Sequence, residues 1–509
     1  MSTTQRTFSF LAALLAATSA GTVYTFSTFS TQLAHRLAYT EFQLGVVATC
    51  GSYGQFLSGP FLGLAAERIG PRISCIIASV LLLCGYSGLA FLYSDTTPFH
   101  HFLLASLSFC LVGIGSSLTS LSFLSTLSVN FSQARGLIIG FPLGILGLSG
   151  FLYARTNALL FIHADDPTFS FLRFLAITTF TSVLTASFGL RYLPSNAPKA
   201  EDASGSGDER STEVDLEIEQ EEGTIASPKS SLSSSISGDP ERIQDAPLAH
   251  QEVAREPVTE STRLLKSSTS TLLHPSDPPK TATSVVRGWE LIGNTDARLL
   301  FLFMAIIGGS GLMYINSVGR ILAILHPHLT PDSPALRSIQ SHHVAMLSFF
   351  SFFGRVGFGF GSDLTLRWIS LRRTSWLVLA SVIMFSGNFI AATGLGGIQG
   401  LNICTATVGM SFGAMFAVSA TLVGEWFGPT AFSSNWGMLG CGPAIAAQLA
   451  NTAFGMGYDH ERARGCHGVE CYGDVFIGTT FACIVAIFAS LTLLHRRRAI
   501  TRSGSFLCI

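Results

Sequence analysis

Charge is what this chain has least of. Asp, Glu, Lys and Arg make up 12% of its 509 residues, about half of the roughly 25% usual in soluble domains. Apolar residues make up 48%, and the mean hydropathy is +0.46. A soluble enzyme is excluded by that balance. Phosphate-cradling loops, zincin pairs and nucleophile elbows are missing too, so ATP-driven transport and hydrolysis have no support. Nothing calls for a cofactor, a resident metal or a nucleic-acid partner, and the chain is read as a non-enzyme. Acids are also scarce where they would count most. No Asp or Glu falls inside any of the long apolar runs.

Those runs are what the chain does have. Charge-free windows extend over Thr7–His35, Phe42–Ala66, Ile73–Ser94, Phe102–Ala134, Gly136–Ala154 and Phe174–Leu190. After a polar stretch come Leu299–Gly319, His343–Ser362 (interrupted only by Arg355), Thr374–Gly424, Trp426–Tyr458 and Val475–Leu494. A helix needs about 20 apolar residues to cross the hydrocarbon. The 51 residues of Thr374–Gly424 therefore hold two crossings, broken at Gly394-Leu395-Gly396-Gly397. Twelve spans result, six on each side of the polar stretch. The first is too long for a signal-peptide core and is read as uncleaved.

The two sixes look alike. Gly63-Leu64-Ala65-Ala66-Glu67-Arg68-Ile69-Gly70-Pro71-Arg72 follows the second run. Gly359-Phe360-Gly361-Ser362-Asp363, with Arg367, Arg372 and Arg373 behind it, follows the second run of the C-terminal half. In each a glycine ends the run, an acid sits four residues on, and arginines follow. One six-helix unit used twice is the plan of a secondary transporter. The fold class expected is thus an all-α integral membrane protein of twelve transmembrane helices in two pseudo-symmetric bundles. The bundles are residues 1–193 and 298–495, with a linker at 194–297 and a basic tail at 496–509. Arg6, Arg68, Arg72, Arg135, Arg191, Arg367, Arg372, Arg373 and Arg496-Arg497-Arg498 all fall on one side. By the positive-inside bias that side is cytosolic, with both termini and the linker.

The linker is acidic. Between Glu201 and Glu260 lie 16 of the 31 acids but four of the 30 Lys and Arg, which leaves 26 basic against 15 acidic residues elsewhere. Its Ser, Thr, Pro and acid content, nearly without aromatics, predicts disorder. Ser230–Ser237 offers hydroxyls for phosphorylation. Of ten cysteines, eight lie in spans or the tail and read as small hydrophobes. Cys466 and Cys471 sit in the last non-cytosolic loop near His460 and His467, where a disulfide, unpaired thiols or a metal all remain open. The sequon Asn130-Phe131-Ser132 falls on the cytosolic side and should stay unglycosylated.

The paired loop motif resembles the cytosolic signature of the major facilitator superfamily, with Glu67 where Asp is commoner. Gly309-Ser310-Gly311-Leu312, Gly354-Arg355, Glu425-Trp426-Phe427-Gly428, Asn435-Trp436-Gly437 and the late Cys471-Tyr472 narrow the likeness. Together they resemble fungal monocarboxylate-transporter homologues and the plant nodulin-like group. That resemblance implies an alternating-access carrier, in one fungal branch a vacuolar one. True monocarboxylate carriers pair the eighth-span Arg with an Asp one turn earlier and carry a Lys in the first span. Here the acid position is Ser351 and Thr7–Ala34 is uncharged, so proton-coupled lactate or pyruvate transport is not carried over. Also in the linker, Glu260-Ser261-Thr262-Arg263-Leu264-Leu265 resembles an acidic dileucine signal for vacuolar delivery through a sorting adaptor.

Gly63, Glu67, Arg68, Gly70, Arg72, Gly359 and Asp363 are expected to gate, the acids meeting helix N-termini across the two halves. Arg355 is the one charge within a span and is a functional candidate by default, since its fork suits a carboxylate or phosphate. Tyr24, Gln55, Tyr314, Asn316, Arg320, Asn402, Gln448 and Asn451 are further substrate-binding candidates on cavity-lining spans. Glycines at Gly136, Gly140, Gly144, Gly147 and Gly150 predict close helix packing in the fifth span. Without a carboxylate in the membrane, facilitated diffusion or exchange is expected, or coupling through an end-of-helix acid such as Glu425. The reading is a secondary or facilitative carrier of a small organic solute, anionic in character, acting as a monomer in the vacuolar membrane. The plasma membrane is the other location, and a receptor or scaffold signalling through the linker is the competing class.

Overall fold

The structure, a computed structural model, describes residues 3–94, 102–131, 135–161, 166–193, 286, 288, 290–329 and 334–505. All regular structure among them is helical. The linker at 194–285, with Glu260, Leu264 and Leu265, lies outside the described residues.

Twelve crossing helices emerge from the expected windows. Helix α1 (Thr3–Ala20) tightens into a 3₁₀ turn, Thr22–Thr28. α2 starts at Glu41–Ser52 under a capping box. Thr40 Oγ1 accepts from the Gln43 N–H at 3.3 Å, and Gln43 Oε1 accepts from the Thr40 N–H at 3.0 Å. It passes through a π turn, Tyr53–Leu57, into the helix Gly59–Tyr93. That helix breaks at Gly70, whose φ of 81° and ψ of 163° suit glycine and are not helical. Pro71 then opens α3 (71–93), at a position where a missing N–H costs nothing. α4 (Phe102–Asn130), α5 (Arg135–Leu160) and α6 (Pro167–Gly189) complete the first half. The second half comprises α7 (Thr295–Leu325), α8 (Pro334–Ile369), α9 (Thr374–Thr393), α10 (Gly397–Trp426), α11 (Phe432–Ala463) and α12 (Gly473–Ser505). By length and apolarity alone ten described helices qualify as crossings. The break at Gly70 and the more polar α11 account for the other two.

The halves meet along two related seams, α5 against α8 and α2 against α11. Glycine makes both possible. A Cβ on Gly59 would come within 2.6 Å of the Gly437 carbonyl oxygen, and one on Gly140 within 2.6 Å of the Arg355 carbonyl oxygen. Gly136 and Gly359 oppose each other in the same way, each against the other's carbonyl. Backbones approach that closely only without side chains, and the result is van der Waals contact that lipid cannot replace.

Two expected boundaries move. The linker was expected to reach residue 297, yet a helical turn at Glu290–Gly293 and the start of α7 precede it. Leu291 is buried, and Asn294 Oδ1 caps α7 by accepting the N–H groups of Asp296 and Ala297. Residues 496–505 continue α12 and form no separate tail. Arg496 Nε and Arg497 Nε lie 2.9 and 2.8 Å from the two oxygens of Asp296, and Arg497 stands over the Trp426 ring. Counting charges placed both boundaries wrongly, because here the charges neutralise one another in contact. At the opposite end of the bundle Cys466 and Cys471 form a disulfide. That end is called the disulfide end below, and the one carrying Arg68, Arg72, Arg372 and Arg373 the basic end.

Candidate functional site

At the basic end each half holds the other by a carboxylate on a helix N-terminus. Glu67 Oε1, at the end of α2, accepts from the Ser434 N–H at 2.8 Å and from Ser434 Oγ at 2.7 Å, in the first turn of α11. Asp363, on α8, accepts from the Gly136 N–H at 3.1 Å and the Leu137 N–H at 2.9 Å, in the first turn of α5. Sequence repetition becomes structural repetition, since each acid meets the partially positive start of the opposite half's helix. Arg373 adds a bridge on one side, pairing with both Asp363 and Glu425. Glu425 is therefore engaged with a cation. Gly63 packs on the backbone of Ser433, while Arg68 and Arg72 are exposed, Arg72 over the Phe188 ring.

Deeper in, the two halves enclose a cavity of about 60 Å³. Tyr24, Gln55, Ser117 and Ser120 line it from the first half; Arg355, Phe416 and Trp436 do so from the second. Arg355 is 2% exposed, and its Nε and Nη1 have no hydrogen-bond partner among the described residues. Its guanidinium stands 5.9 and 5.4 Å from the ring centres of Phe412 and Phe416, whose faces partly replace lost water. Gly147 makes the space, because a Cβ there would overlap Nη1. Tyr24 lies within hydrogen-bonding reach of Gln55 and in the field of Arg355. A buried cation with open donors is costly unless an anion completes it.

Three of the nine substrate-binding candidates thus converge: Arg355, Tyr24 and Gln55. The others do not line this cavity. Asn316, Arg320 and Gln448 are exposed, and Asn451 is half-buried. Asn402 keeps a buried, unpartnered Oδ1 on α10. Tyr314 is fully buried, hydrogen-bonded to Thr405 Oγ1 at 2.6 Å. Choosing polar residues on the right helices could not tell which face each presents. Phe416 and Trp436 were missed as lining residues. Trp436 stood within a quoted motif, whereas an aromatic in an apolar run gives no signal.

Comparison with known proteins bears on the family and the fold. Residues 6–210 match the family model described as Nodulin-like, and residues 295–503 match that of the NFD4 C-terminal domain. An uncharacterized membrane protein of Saccharomyces cerevisiae is 27% identical over 97% of this chain and 96% of its own. The "Probable transporter mch1" of Aspergillus fumigatus is 23% identical over 95% of this chain and 85% of its own. Among solved structures, the proton:xylose symporter XylE superposes with a TM-score of 0.58 at 14% identity, covering 97% of this chain and 96% of that one. The fucose:proton symporter FucP does so with a TM-score of 0.53 at 11% identity, covering 96% and 98%. Both bear on the fold alone.

Proposed function

The chain belongs to the nodulin-like and MCH1 branch of the major facilitator superfamily, and from that premise we propose that it is a secondary carrier moving a small organic anion by alternating access. One observation carries the anionic reading. Arg355 lines a cavity shared by the two halves, is buried there, and its Nε and Nη1 have no hydrogen-bond partner among the described residues. In a site formed by both halves, binding an anion there neutralises a charge that neither half satisfies alone. Tyr24 and Gln55 stand opposite as neutral hydrogen-bonding groups that orient the substrate's body. No acid accompanies Arg355 where Ser351 sits, which argues against an ordinary monocarboxylate–proton symporter.

The carboxylates of the basic end serve as the gate. Glu67 and Asp363 hold that end shut, and rocking the halves apart exchanges their helix-terminal partners for water. The vacuolar membrane is the location we favour, on the dileucine pattern at Leu264-Leu265 and the fungal resemblance. The deciding experiment is uptake of a panel of labelled mono- and dicarboxylates into vesicles holding the purified protein. Uptake that saturates in the parent and vanishes in Arg355→Ala supports the reading. Transport of neutral solutes at equal rates by both would overturn it.

A further inference from the structure

The lining of the central cavity is chemically divided between the halves. Its hydroxyl and amide side chains all come from the first half: Tyr24, Gln55, Ser117 and Ser120. Its one charged side chain, Arg355, comes from the second, and among the described residues no Asp, Glu, Lys or His lines the cavity beside it. Charge therefore restricts what fits. A second acid on the solute would be buried without a cation, and an ammonium would be buried without an acid. Both are costly, so the fitting solute carries one negative charge and no positive one.

The neutral wall adds a demand for hydroxyls. Ser120 Oγ donates its hydrogen to the Ser116 carbonyl at 2.9 Å, so toward a solute that oxygen only accepts. A keto or alkyl group gives it nothing, whereas a hydroxyl does. Gln55 and Ser117 are 8% and 7% exposed, and a polar group left unmet at such burial costs binding. One hydroxyl makes at most three hydrogen bonds, one donated and two accepted, so four such side chains call for at least two. The cavity of about 60 Å³, where one water needs about 10–15 Å³, limits the body to about three carbons. Resting on the anionic reading above, we propose that the substrate is a short polyhydroxylated monoanion lying across the seam. Its single carboxylate meets Arg355, and its hydroxyls meet Tyr24, Gln55, Ser117 and Ser120. A solute with only one of those ends engages one half and leaves polar groups of the other without partners. Ser120 and Gln55 thereby set specificity, while Arg355 sets charge.

A matched three-carbon set separates these contributions: glycerate, propionate, malonate, 3-aminopropionate and glycerol. The full-length protein in lipid vesicles takes up labelled glycerate, and each of the five competes unlabelled. Glycerate should compete better than propionate by at least about tenfold, because propionate leaves the hydroxyl and amide wall without partners. Malonate and 3-aminopropionate, each bringing an unpaired charge, should fall at least about 100-fold below glycerate, and glycerol should not compete. Ser120→Ala and Gln55→Leu should narrow the gap between glycerate and propionate. Misfolding would lower uptake without moving that ratio. Propionate competing as well as glycerate, a preference for malonate or 3-aminopropionate, or a gap untouched by both variants would each overturn the proposal. So would refusal of glycerate while other carboxylates enter. In all of these cases, uptake of the preferred carboxylate that is lost in Arg355→Ala would leave the anion carrier standing. Entry of no carboxylate at all, or of glycerol as fast as glycerate with or without Arg355, would bring down the anionic reading as well.

Discussion

Removing Asp363 should loosen a contact it does not make. Asp363→Ala deletes two hydrogen bonds to a charged acceptor, from the Gly136 and Leu137 N–H groups. Arg373 is not orphaned by the change, because Glu425 remains its partner. Hydrogen bonds to charged groups contribute about 1.5–3 kcal/mol net each, so the lower ends together come to about 3 kcal/mol. At 1.4 kcal/mol per tenfold, the closed-to-open ratio of the basic end falls about 150-fold. The reporter is the Ser434 N–H, held by Glu67 at 2.8 Å on the other seam. If the two seams open as one rigid-body motion, hydrogen–deuterium exchange at Ser434 in the purified protein should quicken by about that factor. Faster exchange confined to Gly136 and Leu137, with Ser434 unchanged, would mean local fraying and would refute the shared gate. The mirror experiment, Glu67→Ala read at Leu137, should give the same sign.

Further outcomes follow from particular contacts. Arg355→Lys retains the charge but not the planar fork, so carboxylate uptake should persist with a raised KM, and Arg355→Ala should abolish it. Gly147→Ala should lower uptake without changing thermal stability much, since its Cβ pushes the Arg355 fork aside in a cavity of about 60 Å³; unchanged kinetics would contradict the assigned pocket. Gly59→Leu drives a side chain into the Gly437 backbone, and overpacking of about 1–3 kcal/mol should lower the unfolding midpoint by about 1–3 °C. Replacing Leu264 and Leu265 together by alanine should divert a fluorescently tagged chain to the plasma membrane; unchanged localisation would leave that pattern without a role.

Much of the architecture was legible because the bilayer leaves few choices. Backbone groups in hydrocarbon must be satisfied within the helix, so a charge-free run of sufficient length names a crossing without knowledge of its neighbours. Glycine, acid and arginines repeated after the second and eighth spans marked the duplication, and Arg355 stood out because a lone charge in such a run is expensive. Each of these is a property of composition along the chain. Other features depended on what comes near in space. That Glu67 meets Ser434 and Asp363 meets Gly136 requires contacts between the halves, over more than 200 residues of separation. That Tyr24 and Gln55 line the cavity with Arg355 while Asn316 and Gln448 do not is a matter of helix rotation, which similar polar residues on similar helices do not reveal. The junctions at 290–297 and 496–505 were misplaced because Asp296 and the two arginines lose their cost only when brought together. The sequence by itself determined how many helices cross and which residues are too costly to be idle there. Which of them share a cavity or meet a helix N-terminus of the other half was decided by tertiary packing, since hydrogen bonds and charge pairing act over a few ångströms, whatever the distance along the chain.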